Sequence, residues 1–483
     1  MYLWNYFLDN SKKHGHRIAL TQGTQNQTYE ELREKSLQLA DELKKFHIGE
    51  GSLIACYTGN NTAFVVTFLA TSSLGAVFLP LDQNEKDSEI EKILINFEQN
   101  YHLVTTGSTK KLHFETSSKI LLDTAGLTLK NELYPRAAYP YLRSIGMIQF
   151  SSGSTGTPKG ILLSHEAIYY RAYNLGKSLG LNEYDKTLCS IPLSHSHGID
   201  CLVLPTLLYG GQLYLYPPEL AAPTSILKFI ENEAITFFSS VPSFYEISLK
   251  LIKNQHYDLS SLRLPFCGSA ALSQATAENF FAKFGVSIKQ GYGLAEIGVI
   301  CLNMHTDGDD FAYSSIGRPI EGISHYLVDN ELVVTSKAMY SGYLQERKPA
   351  ETQLYTGDLV QLDSKERFYI IGRKKDFINV SGQKVFPLEV EALIKKNDQI
   401  KDCVVTGENV PILGEQVVVY IELLEDQIDF KKIVLEIKTY LAQVISFYKI
   451  PKIFYHYQKF PRSPLGKILK VRLRSEDVLS SSD

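Results

Sequence analysis

The sequence predicts an α/β fold in two parts: layered, mostly parallel sheets with helices over most of the chain, then a smaller unit of mixed α and β beginning near Gly372. Three observations carry this. Short β-rich runs alternate with helical ones, as in "GGQLYLYP", "TSILKFIENEA" and "ITFFSSVP", and again where "VSIKQGYG" follows "ATAENFFAKF". That strand–helix–strand rhythm is the pattern of parallel sheets covered by helices. The 483 residues suffice for at least one large core. A basic joint, Arg373-Lys374-Lys375, then precedes about 110 further residues, the size of one small domain.

The elements follow in order. "QTYEELREKSLQLADELKKF" (27–46) places Leu32, Leu37, Leu39, Leu43 and Phe46 at helical spacing, an amphipathic helix. The longest apolar stretch (64–81) is interrupted by Thr67, Thr71, Ser72, Ser73 and Gly75. It reads as a buried helix running into a strand and not as a membrane span. "MIQFSSGSTGTPKGILLSH" (147–165) is a strand-like run that breaks into small residues, resumes at Ile161-Leu162-Leu163 and meets a helix start at Ser164-His165-Glu166. "TTGSTKKLHFETSS" and "NMHTDGDDFAYSS" read as exposed loops. In the second unit Pro387 opens a helix with acids close behind it. Strands "DCVVT" and "QVVVYIELL", a helix through "FKKIVLEIKTYLAQVI" and a strand "KIFYHY" complete it.

Composition narrows the function. A formal net charge of −4 leaves no basic excess to neutralise phosphates, so a nucleic-acid partner is not expected. The first residues lack the basic segment and cleavage site of a signal peptide. Six scattered cysteines without a C-x-x-C pair fit a reducing, cytoplasmic setting.

The loop from Ser151 to Gly160 offers consecutive backbone N–H groups, the hydroxyls of Ser151, Ser152, Ser154 and Thr155, and one cation, Lys159. Gly153 and Gly156 let the backbone turn in on a ligand with no Cβ in the way. Such a loop cradles phosphate oxygens. It does not fit the G-x-x-x-x-G-K-[ST] pattern, and composition alone reads it equally well as an exposed turn. Further segments decide between the two. "QTYEEL", "GAVFLPLD", "PLSHSHG", "GYGLAE", "YTGDL", "GRKKDFINVSGQKVFPLEVE" and "PRSPLGKI" accompany the loop, in that order, over nearly the whole chain. In these the sequence resembles the adenylate-forming superfamily of acyl-CoA synthetases, luciferases and adenylation domains.

The resemblance implies a large N-terminal domain over residues 1–371, a hinge at 372–375 and a small α+β lid over 376–483, with ATP and Mg²⁺ used at the active site. A carboxylate attacks the α-phosphorus of ATP to give an acyl-adenylate and pyrophosphate, and a thiol then displaces AMP. The first step joins two anions, so it needs cations and positioning. By the same resemblance Lys467 is the catalytic lysine and Glu296 the magnesium ligand, and the loop from Ser151 to Lys159 holds the phosphates. Gly268, Ser269, Ala270, Gln290, Gly291, Tyr292, Gly293 and Ala295 surround the nucleotide, and Asp358 and Arg373 bind it as well. Asp358 takes the ribose hydroxyls, as an acceptor-only carboxylate suits a diol. Lys375 lies at the hinge. Ala295 departs from the more usual threonine, which removes one hydroxyl near the phosphates.

The acyl pocket implied by the alignment includes His195, Ser239, Ser240 and Val299, with small residues leaving room for an extended or aromatic acid. Amino-acid-activating relatives place an aspartate near "PLSHSHG"; here stand His195, Ser196 and His197, and Asp200 is out of register. A carboxylic acid without an α-amino group is therefore expected. His197 is unusual, because an apolar or aromatic residue is more typical there. Only 16 residues follow Lys467, so the thiol is expected from a separate CoA or carrier protein. The other readings are a non-catalytic nucleotide sensor, a stand-alone amino-acid-activating enzyme and a luciferase-like oxidative enzyme.

Overall fold

The computed structural model describes residues 3–98, 100–106, 119–122, 130–132, 138–151, 158–252, 255–270, 272–304, 312–346, 349–380, 383–410, 414–425, 427–462, 468–473 and 477–482. By packing, the chain divides into two compact units, Met1–Ser324 with Val334–Leu354, and His325–Val333 with Tyr355–Asp483.

Two sheets build the larger unit. In the nine-stranded sheet, Lys289–Leu294, Leu264–Cys267, Phe237–Ser240, Lys186–Cys189, Gln212–Leu215 and Ile18–Gln22 run parallel. Antiparallel strands flank them: Gly298–Asn303 and Arg318–Pro319 at one edge, Gln25–Thr28 at the other. In the eight-stranded sheet the parallel centre runs from Ile145–Ser151 through Val77–Pro80, Leu53–Cys56 and His102–Thr106 to Lys119–Leu122. Lys159–Ser164 and Gly342–Tyr343 add antiparallel strands at one edge, Lys130–Glu132 at the other. The parallel pattern thus holds for the sheet centres, while the antiparallel edges carry candidate site residues.

The helices follow their sequence logic. Thr62–Ser73 is buried almost all round, as an apolar run with no polar face requires. It leads into the strand Val77–Pro80, as expected for residues 64–81. Tyr29–Lys44 begins with a full capping box, Thr28 accepting from the Glu31 N–H and Glu31 from the Thr28 N–H. Leu32, Leu39 and Leu43 of this helix are buried, but Leu37 is 38% exposed; Tyr29, Ser36 and Ala40 share the inner face instead. The Tyr29 hydroxyl donates to the Gly211 carbonyl at 2.7 Å, which a buried phenol needs.

The smaller unit has its own core. Strands Ile378–Val380, Gln383–Val385, Ile400–Val410, Gly414–Leu423, Ile453–Tyr457 and Ser480–Ser482 form one sheet. Helices Pro387–Ile394 and Phe430–Val444 bury Val390, Ile394, Ile433, Ile437 and Leu441 in the same apolar cluster as its strand residues. A second sheet pairs Leu354–Leu362 with Phe368–Arg373.

All six cysteines are free and buried. Burial pushes the thiols of Cys56 and Cys189 up to about 12, and those of Cys201, Cys267, Cys301 and Cys403 higher still. Among the described residues no helix is long and apolar enough to cross a membrane.

Candidate active site

The Ser/Gly/Thr loop springs from an antiparallel hairpin. Ile145–Ser151 and Lys159–Ser164 pair with Phe150 opposite Gly160 and Ser151 opposite Lys159. Ser164 then caps the helix His165–Leu179, its hydroxyl accepting from the Ala167 N–H at 3.0 Å. Ser151 is described as strand backbone, whereas Ser152, Gly153, Ser154, Thr155 and Gly156 lie outside the described residues, as does Lys467.

Lys159 and Glu296 meet at a residue that sequence reasoning missed. Tyr343 lies on a two-residue strand opposite Ile161. Its hydroxyl donates to Glu296 Oε1 at 2.7 Å, and Lys159 Nζ stands 5.1 Å from its ring centroid. The donor is charge-assisted and the ring face attracts the ammonium. Burial, then the bond to Glu296, raises the Tyr343 hydroxyl far above its usual range, so it stays a proton donor. The Glu296 carbonyl accepts from the Tyr340 N–H at 2.7 Å, and the Tyr340 ring packs edge-on against Tyr343.

Glu296 lies in the turn that joins the antiparallel strands Lys289–Leu294 and Gly298–Asn303, which carry Gln290, Gly291, Tyr292, Gly293 and Val299. Gly291 is dictated by packing: a Cβ there would lie 2.2 Å from Phe266 Cζ. The Gln290 amide donates to the Tyr313 carbonyl at 2.8 Å. Beneath the turn, buried Arg171 donates to the Ala295 carbonyl at 2.9 Å, to the Ala338 carbonyl at 3.1 Å and to Asp200 Oδ2 at 3.0 Å. Gln149 also reaches both Asp200 oxygens at 3.4 Å. Burial lifts the Asp200 carboxyl, with the Arg171 guanidinium opposing it.

Next to the parallel strand Leu264–Cys267 stand buried Gly268 and exposed Ser269 and Ala270. Ser269 has φ +68°, a conformation that non-glycine residues seldom adopt outside constrained sites. Its hydroxyl is 3.0 Å from His197 Nδ1, and Ser239 Oγ is 2.6 Å from His197 Nε2. Burial, then the neighbouring His195, lowers the His197 imidazole to about 4, so it is neutral at pH 7. His197 is thus fixed between Ser239 and Ser269. His195 behaves differently: it is partly exposed, with Nε2 3.1 Å from Asp82 Oδ2. Burial by itself would lift the Asp82 carboxyl, but bonds from His195, the Asn84 N–H and Ser194 hold it below the usual range.

In the smaller unit Asp358 and Arg373 face each other across the pair Leu354–Leu362 and Phe368–Arg373, with Arg373 Nε donating to Asp358 Oδ1 at 2.8 Å. Asp358 is buried and Arg373 half-exposed. Beside them Lys374 Nζ donates to buried Glu331 at 2.7 Å, and Glu331 also accepts from the Gly357 N–H at 3.0 Å. Lys375 is exposed in the tight turn from Arg373 to Asp376.

Comparison with known proteins places the chain in a family. The family model described as "AMP-binding enzyme" matches residues 7–350, and that described as "AMP-binding enzyme C-terminal domain" matches residues 389–467. A feruloyl-CoA synthase from Amycolatopsis sp is 26% identical, covering 95% of this chain and 96% of the relative. A 4-coumarate–CoA ligase from Nicotiana tabacum is 26% identical, covering 98% and 94%. Among solved structures, the anthranilate CoA ligase AuaEII with anthranoyl-AMP superposes with a TM-score of 0.82 at 23% identity, covering 99% of this chain and 97% of that one. Fold and matches define an acid-activating ligase, which uses ATP to form an acyl-adenylate and then passes the acyl group to a thiol. The chain belongs to the AMP-binding enzyme family.

Proposed function

We propose that the protein joins an aryl or related carboxylic acid without an α-amino group to CoA, in a cytoplasmic setting. The observation that carries the site assignment is the meeting of Lys159 and Glu296 at Tyr343, beside the strands that flank the Ser/Gly/Thr segment. It sets a cation and a carboxylate beside the loop expected to hold the ATP phosphates. The acid class is supported by the names of the relatives and by Asp200, whose carboxylate is engaged by Arg171 and Gln149 rather than left to receive an ammonium. Six buried thiols suit a reducing compartment.

Mg²⁺ fits the residues present. Among the described residues no three His, Cys, Asp or Glu side chains form a metal cage, and Mg²⁺ commonly takes only one or two carboxylates, with phosphates and water supplying the rest. Glu296 is that carboxylate, held by Tyr343. When bound, the ion neutralises charge on the phosphates. Lys159 adds a second cation on that side, and Lys467, by the family likeness, is the lysine that would stabilise the charge developing as the carboxylate attacks the α-phosphate. Asp358 accepts from the ribose hydroxyls with Arg373 beside it, while Gly268 to Ala270 and Gln290 to Gly293, with Tyr292, enclose the nucleotide. Ala295 contributes only its carbonyl, turned to Arg171. His195, Ser239, Ser240 and Val299 line the acyl pocket. The large domain is residues 1–371 and the lid residues 376–483, joined by a hinge at 372–375 that carries Lys375.

Pyrophosphate release across a panel of carboxylic acids, with ATP and Mg²⁺, tests this. Release with aryl acids, acyl-CoA formation when CoA is added, and collapse in Lys467→Ala are expected. Release only with amino acids overturns the acid class, transfer only to a phosphopantetheinylated carrier protein overturns the acceptor, and ATP binding without release for any acid overturns catalysis.

A further inference from the structure

The Arg171 guanidinium presents Nε, Nη1 and Nη2 to three acceptors from three separate segments: the carbonyls of Ala338 and Ala295, and the Asp200 carboxylate. Two of those segments meet again at Glu296. Ala295 is its chain neighbour, and the stretch after Ala338 supplies the Tyr340 N–H to the Glu296 carbonyl and the Tyr343 hydroxyl to its carboxylate. The fold makes room for this side chain. Gly298 has φ +82°, and a Cβ there would approach Arg171 Cγ at 3.3 Å. Asp200 lies in a wide π turn, Ile199–Val203, within the helical stretch after "PLSHSHG", and its charge is the counterion of the buried guanidinium. A lysine would keep the ion pair but not reach both carbonyls, because it offers a point charge in place of a planar fork.

We propose that Arg171 is a positioning residue: by clamping the Ala295 and Ala338 carbonyls it fixes the Glu296 carboxylate, and Tyr343 above it, in the geometry that receives the divalent cation accompanying ATP. This rests on the reading of Glu296 as the metal ligand. It also accounts for a buried ion pair directly beneath that turn, where a pair of apolar residues would serve packing equally well.

The test is a double-mutant cycle read by metal binding, not turnover. Mn²⁺ is titrated into the full chain with ATP and no acid, and free Mn²⁺ is followed by electron paramagnetic resonance. Glu296→Gln is expected to weaken Mn²⁺ binding about tenfold, as is Arg171→Lys, and Arg171→Lys in the Glu296→Gln background is expected to add less than about twofold, because the two act through one group. If Arg171→Lys does not fold, Arg171→Met with Asp200→Asn leaves no buried charge unpaired and takes its place in the cycle. Wild-type binding in the Arg171 variant, with Glu296→Gln weakened, overturns the inference. So does an equal loss from the Arg171 change in both backgrounds. Wild-type binding in Glu296→Gln overturns the reading of Glu296 itself, and the inference with it.

Discussion

Replacing His197 with phenylalanine gives the sharpest test of how this pocket wall is held. The ring is buried between Ser239 and Ser269, and burial lowers its imidazole to about 4, against 6.5 in an unfolded chain. The folded value lies below the unfolded one, so the unfolded chain binds the proton more readily and stability falls as pH drops from about 6.5 towards 4. Integrated from pH 7.5 to pH 5.0, a shift of that size costs about 2 kcal/mol. His165, likewise lowered to about 4 by burial, contributes a similar loss that the substitution leaves in place. At pH 7.5 His197→Phe costs about 1–3 kcal/mol by orphaning the buried Ser239 hydroxyl, whereas Ser269 is exposed and finds water. The assay is urea denaturation followed by Trp4, the chain's one tryptophan, which lies buried in the larger unit. The loss of stability between pH 7.5 and pH 5.0 should shrink by about 2 kcal/mol in the variant. An acid loss equal to wild type would refute the account of His197 as a buried, neutral imidazole.

Other expectations follow from the same geometry. Tyr343→Phe removes a donor to the Glu296 carboxylate but keeps the ring beside Lys159, and should raise the Mg²⁺ concentration for half-maximal pyrophosphate release by about tenfold, equivalent to about 1.4 kcal/mol. Asp358→Asn loses a buried, charge-assisted partner of Arg373 and should raise the KM for ATP at least about tenfold, with little change in KM for the acid. Gly291→Ala drives a methyl into Phe266 and should lower stability by about 1–3 kcal/mol, read by the same Trp4 denaturation.

The fold was legible because its signals are local. The alternation of strands and helices and the Ser164 helix start are set within a few residues. Leu37 misled because one face of a helix was counted at five positions, while the true inner face is widened by Tyr29, Ser36 and Ala40, small or polar-tipped residues that leucine spacing does not reveal. Motifs single out Glu296, Asp358 and Arg373 as candidates, and two of them, Asp358 and Arg373, do face each other across one strand pair. Tyr343 and Arg171 escaped because their meaning lies in contacts far along the chain: Tyr343 joins residues 47 and 184 positions away, and Arg171 reaches Ala295, 124 positions on. Asp200, set aside as out of register for holding a substrate ammonium, turns out to be the counterion of a buried guanidinium.

An acyl-adenylate is a mixed anhydride, and any thiolate within reach would capture its acyl group as an unproductive thioester. All six cysteines are buried, with thiols pushed to about 12 or above, so at neutral pH no more than about one part in 10⁵ of any of them is thiolate. The protein therefore offers its own intermediate almost no competing sulfur nucleophile, and self-acylation is suppressed without any dedicated guard.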